Sequence, residues 1–105
     1  MEHVDVIMTI IAHAGNARTK AMEAIQKAEV NRLQEARLLL QDAGEEVKLA
    51  HRSQTELIQK EARGERVEVS LFMVHAQDHL MNAMTVIDMA EKFINLYEKI
   101  DVHNK

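Results

Sequence analysis

The chain has 105 residues, 47% of them hydrophobic and 29% charged, with three glycines and neither proline nor cysteine. That balance belongs to one globular domain rather than to a disordered segment, and the length leaves little interior for a lone copy. A formal charge of −4 argues against a nucleic-acid partner, and the absence of cysteine excludes disulfides, thiolate metal sites and a cysteine nucleophile.

The opening stretch MEHVDVIM lacks the basic start and apolar core of a secretory signal. No apolar run approaches the roughly 20 residues that cross a bilayer. The expectation is a soluble, cytoplasmic, single domain over residues 1–105, with no direct membrane insertion. Aromatic residues are scarce and methionine is plentiful, so the interior must come from Leu, Ile, Val, Ala and Met, which suits packed helices.

The spacing predicts a first helix over about 4–29. Val4, Ile7, Ile10, Ile11, Ala14, Ala17, Ala21, Ala24, Ile25 and Ala28 recur at three- and four-residue steps and form one apolar stripe. Gly15 interrupts it at a cost of about 1 kcal/mol relative to alanine, and marks a kink or a close helix–helix contact. Asn31, followed three positions later by Gln34, is the expected cap of a second helix.

That second helix is predicted over about 32–62, with Leu33, Ala36, Leu39, Leu40, Ala43, Val47, Ala50, Leu57 and Ile58 facing inward. Glu35, Arg37, Asp42, Glu45, Glu46 and Lys48 are expected to form a solvated face. Gly64 ends the helix.

A third helix is predicted over about 67–100. Its C-terminal half is amphipathic, with Asp88, Glu91, Lys92, Asn95 and Lys99 opposite Ala90, Phe93, Ile94, Tyr97 and Ile100. In its N-terminal half the apolar residues, from Leu71 and Phe72 to Ile87 and Met89, point in nearly every direction. A helix apolar all round is expected to be buried all round. Two neighbouring helices cannot cover that circumference, so the periodicity implies a homo-oligomer with this half-helix near its axis. A membrane-surface helix fits less well, because the apolar surface is not confined to one side and no basic face flanks it. The fold class is all-α: an antiparallel three-helix bundle that self-assembles.

Inside the apolar stretch lies His75-Ala-Gln-Asp78-His79. At 100° per residue, His75, Asp78, His79 and Asn82 fall on one side of the helix. Polar groups in apolar surroundings cost free energy unless paired, so the cluster needs a reason. Three readings compete. The residues satisfy one another structurally; or His75 and His79, at i and i+4, hold a metal with a third ligand from Asp78, His51 or another subunit; or a neutral imidazole serves as a nucleophile that carries a phosphoryl group. Phosphoryl transfer is mostly positioning and electrostatics, both of which a partner protein can supply, so the missing glycine-rich loop does not count against it.

The segment Val74-His-Ala-Gln-Asp-His-Leu-Met81 resembles the signature of the lactose/cellobiose-type enzyme IIA family of the bacterial sugar phosphotransferase system. Ala14-Gly-Asn-Ala-Arg18, the block from Glu46 to Thr55, and Gly64-Glu65 followed by Val69-Ser70 are similar to other family segments, so the resemblance spans the chain. Val30-Asn-Arg-Leu33 replaces a glycine–aspartate turn common among relatives. Ala76 is closer to cellobiose or diacetylchitobiose members than to lactose members.

The resemblance implies a spectrin-repeat-like three-helix subunit that forms a homotrimer. It implies that His75 is phosphorylated, attacking through Nε2, and that Asp78 lies near the three-fold axis, where three copies share a divalent metal, Mg2+. Three carboxylates meeting in an apolar interior must take up protons or share a cation. Gln77 and His79 match family positions without a fixed role and are candidates for site support; His79 is expected either to hydrogen-bond near the site or simply to satisfy a core position. The implied partners are HPr as phosphoryl donor and the cognate enzyme IIB as acceptor, with the membrane enzyme IIC acting through it on a disaccharide. Phe72, Met73 and Val74, beside His75, are expected either to form the docking surface or to be interface core.

Overall fold

The computed structural model describes residues 3–103, and the outer limits expected for the domain lie outside them. Three helices make up the fold: α1 (Val4–Glu29), α2 (Leu33–Ala62) and α3 (Leu71–His103). No strand occurs among the described residues. Side-chain partners fix the directions. His13 of α1 meets Glu46 of α2, Arg37 near the start of α2 meets Glu98 near the end of α3, and Gln54 of α2 meets Gln77 early in α3. Successive helices are therefore antiparallel, and α1 and α3 run parallel. The result is a rod of 59 × 20 × 18 Å.

The buried positions explain why these helices lie together. In α1 they are Ile7, Ile10, Ala14, Ala17, Ala21, Ala24 and Ala28; in α3 they include Met73, Ala76, Leu80, Ala83, Ala90 and Ile94. In α1 steps of three and four alternate strictly, and α3 keeps the same period with partly buried Ile87 between Ala83 and Ala90, which is the seam of a coiled coil. α2 contributes Ala36, Ala43, Ala50, Gln54 and Leu57 at the same period. Alanine at so many seam positions lets the helices approach closely but buries little apolar area per residue. The largest fully buried side chains are Ile7, Ile10, Leu80 and Ile94, each contributing about 1.5–3 kcal/mol. The expected inner position Ile58 is instead exposed, because it lies off this seam.

Both turns close by the same device. The N–H of Arg32 reaches Lys27 O and that of Asn31 reaches Ala28 O, with Asn31 at φ 62°. Gly64, at φ 87°, repeats the pattern with Glu65 N–H on Lys60 O. These are left-handed helix endings that leave the preceding carbonyls satisfied. Asn31 thus ends α1 rather than capping α2, whose first turn has no side-chain cap. Asparagine suits either role, because its short side chain tolerates left-handed backbone.

α3 begins at Leu71, four residues later than expected. Ser70 Oγ accepts the N–H of Met73 at 3.1 Å and so fixes the start. Val67 packs against the core from the non-helical approach. Glu46, expected on a solvated face, is half-buried and joins α1 instead: His13 Nδ1 donates to its Oε2 at 2.6 Å, and Lys20 Nζ lies 3.5 Å from its Oε1. The hydrogen bond from His13, aided by the charges of His13 and Lys20 and opposed by burial, holds the Glu46 carboxyl below its ordinary 4.5.

Candidate functional site

His75 stands exposed on the second turn of α3, between buried Met73 and Ala76. A groove of about 480 Å³ between α1 and α3 is lined by Arg18, His75, Asp78, His79, Asn82, Thr85 and Val86. The four polar residues assigned to one helical side from the sequence thus share one surface. The rings of His75 and His79 are 5.6 Å apart between centroids and inclined by 60°. His79 is half-buried and lies against Gly15 of α1: a Cβ built there would meet its Cε1 at 3.8 Å and its Nε2 at 3.9 Å. Of the two roles expected for Gly15, the close contact is the one present, and α1 continues unbroken across it.

Asp78 points away from the seam. It shares the outward side of α3 with Leu71 (86% exposed), Val74 (51%), Met81 (45%) and Met89 (52%). A lone carboxylate set in so much exposed apolar surface is the arrangement expected if that surface is covered by something else. Among the described residues no hydrogen bond or ion pair engages Asp78 within its own chain.

Other expected contributors lie elsewhere. Gln77 is turned toward α2, where its Oε1 accepts a hydrogen bond from buried Gln54 and its Nε2 lies 4.0 Å from Met73 Sδ. Two residues along a helix is 200° of rotation, so His75 and Gln77 look in nearly opposite directions. His51 belongs to a separate groove with Val47, Lys48, Arg52 and Met84. No set of three metal-ligating side chains converges among the described residues. Met73 is buried and Phe72 is half-buried against the core, so of the three residues beside the histidine only Val74 presents an open surface. Sequence reasoning gave Arg18 no role. It stands on another helix, and the register between helices does not show in local spacing.

A family profile described as "PTS system, Lactose/Cellobiose specific IIA subunit" matches residues 5–98. The chain belongs to this family of phosphotransferase-system components. A lichenan-specific phosphotransferase enzyme IIA component from Bacillus subtilis is 61% identical over 99 residues, covering 94% of this chain and 90% of the relative. A cellobiose-specific EIIA component from Lactococcus lactis is 40% identical over 94% of this chain and 85% of its own length. Among solved structures, the cellobiose-specific enzyme IIA of Bacillus anthracis superposes with a TM-score of 0.93 at 46% identity, covering 97% of this chain and 94% of that one. The IIA(chitobiose) of Escherichia coli, solved as a complex with HPr, superposes with a TM-score of 0.82 at 33% identity, covering 96% and 98%. The enzyme IIA fold and family are thereby shown. No helix is long and apolar enough to cross a membrane among the described residues.

Proposed function

We propose that this enzyme IIA is a cytoplasmic phosphocarrier for disaccharide uptake that holds its phosphoryl group on Nε2 of His75. The observation that carries the reading is an exposed imidazole on a rigid helix turn, flanked by buried seam residues, within a family of phosphotransferase components. A solved relative in complex with HPr supports HPr as donor. The lone pair of His75 Nε2 attacks phosphorus; the new N–P bond forms as the donor's P–N bond breaks and its electron pair returns to the donor imidazole. In the second transfer a thiolate of the cognate enzyme IIB attacks, the S–P bond forms, and the N–P electron pair returns to His75. Relatives named as lichenan-specific and cellobiose-specific support a sugar of that kind as the one carried.

The outward apolar strip around Asp78 supports assembly into a homotrimer along α3. A hard divalent cation suits the donor set in one respect: Asp78 is exposed and has no ion-pair partner among the described residues of its own chain. Among the described residues one chain alone offers no cluster of three ligands, so Asp78 from three copies would hold the Mg2+, which would relieve the repulsion of three carboxylates. A metal site formed by His75 and His79 without phosphoryl transfer is the less favoured reading, since among the described residues no third ligating side chain joins them.

The test is intact mass after incubation with phosphoenolpyruvate, enzyme I and HPr. One added phosphoryl group on the wild type and none on His75→Ala is expected. No added mass, with HPr itself phosphorylated, refutes the reading. Light scattering of the wild type and Asp78→Leu tests the assembly; a wild-type monomer at micromolar concentration removes the trimer.

A further inference from the structure

We infer that Arg18 is the cation that holds the phosphoryl oxygens once His75 is loaded, an inference that rests on the phosphocarrier reading above. The parallel register of α1 and α3 places it there. Gly15 lies beside His79, so Arg18, one turn further along α1, stands about level with Asn82. Helical side chains lean toward the N-terminus of their helix, which directs the guanidinium back along the groove toward His79 and His75.

The charges facing the groove single this residue out. α1 supplies Arg18; α3 supplies His75, Asp78, His79 and the uncharged Asn82 and Thr85. With neutral imidazoles the Arg18 and Asp78 charges cancel. A phosphoryl group on His75 adds between one and two negative charges beside the Asp78 carboxylate, and Arg18 is the lining residue with a permanent positive charge to meet them. It is exposed, and no intrachain ion pair engages it among the described residues. Lys20, two residues on, is committed to Glu46 on the α2 side. A guanidinium offers a planar fork that two phosphoryl oxygens can occupy together. Arg18 makes no covalent bond; the N–P bond and its electrons belong to His75 and the partners.

The test compares wild type, Arg18→Gln and Arg18→Lys at equal concentration, equilibrated with phospho-HPr and read by intact mass and by the 31P resonance of the phosphohistidine. Arg18→Gln is expected to lower the equilibrium constant for phosphoryl acceptance about tenfold, the size of one lost charge-assisted hydrogen bond, and to move the 31P resonance. Arg18→Lys is expected to recover part of both. If the wild type is phosphorylated on His75 and Arg18→Gln matches it in equilibrium and resonance, the Arg18 role is overturned and the carrier reading stands. If Arg18→Gln alters only assembly or thermal midpoint, Arg18 serves Asp78 or the subunit contact, and the role is likewise overturned. A wild type that takes no label removes both.

Discussion

Among the described residues Gln54 is the one polar side chain buried with the core, 7% exposed, and its amide donates to Gln77 Oε1 between α2 and α3. Replacing Gln54 with leucine keeps the volume and removes the donor. The Gln77 amide is then left facing an apolar side chain. A polar group stranded in this way costs about 1–3 kcal/mol when fully buried. Gln77 is half-buried, so water reaches it and the lower end applies. Gln77→Leu alone strands Gln54, which is more deeply buried, and costs more. The double variant Gln54→Leu/Gln77→Leu strands neither. It is expected to be more stable than the sum of the single changes by about 1–2 kcal/mol. At about 4–8 °C per kcal/mol for a domain of this size, the coupling is readable in thermal unfolding at fixed protein concentration. Because Gln77 faces away from the groove, His75 of the double variant is expected still to accept a phosphoryl group. Additivity within about 0.5 kcal/mol would refute the reasoning, since it would mean that the two amides do not depend on each other.

Three further outcomes follow from local features. The carboxyl of Glu46 titrates lower when folded than its ordinary 4.5, so its contribution is present above that value and is lost as pH falls through the folded value. Glu46→Gln should therefore be less stable than wild type at pH 7, with the gap closing below pH 4.5; urea unfolding showing a constant gap would contradict this. Ser70→Ala removes the acceptor for the Met73 N–H and should cost about 0.5–2 kcal/mol, seen as faster amide exchange confined to the first turn of α3. Gly64→Ala forces a side chain into left-handed backbone at about 1–2 kcal/mol, whereas Gly64→Asn should cost less; equal losses in urea unfolding would argue against a backbone origin.

Much of the fold was legible because the seam repeats. The alternation of three- and four-residue steps from Ile7 to Ala28 names a helix and its buried side together, and the same holds from Met73 to Ile94. What escaped was chemistry with two outlets. Asn31 can cap a helix or end one, and only the backbone angle decides. Val67 through Val69 continue an apolar pattern, yet Ser70 carries the start of α3. At the site, the shared side of His75, Asp78, His79 and Asn82 follows from rotation about one helix, and the same rotation places Gln77 opposite. The approach of Arg18 depends on how far α1 slides along α3, a quantity set by packing across the seam. Gly15 was the available clue: a residue without a side chain, inside α1, facing the His79 imidazole of α3.

The great length of the rod has a practical consequence. Val102 lies about 40 Å along α3 from His75 at 1.5 Å per residue, and the far end has its own buried cluster of Ala24, Ala28, Ala36 and Ile94. A fluorophore or surface tether attached at exposed Val102 would sit about two turns beyond Ile94 of that cluster, leaving the histidine end free to meet its partners while the reporter records the encounter.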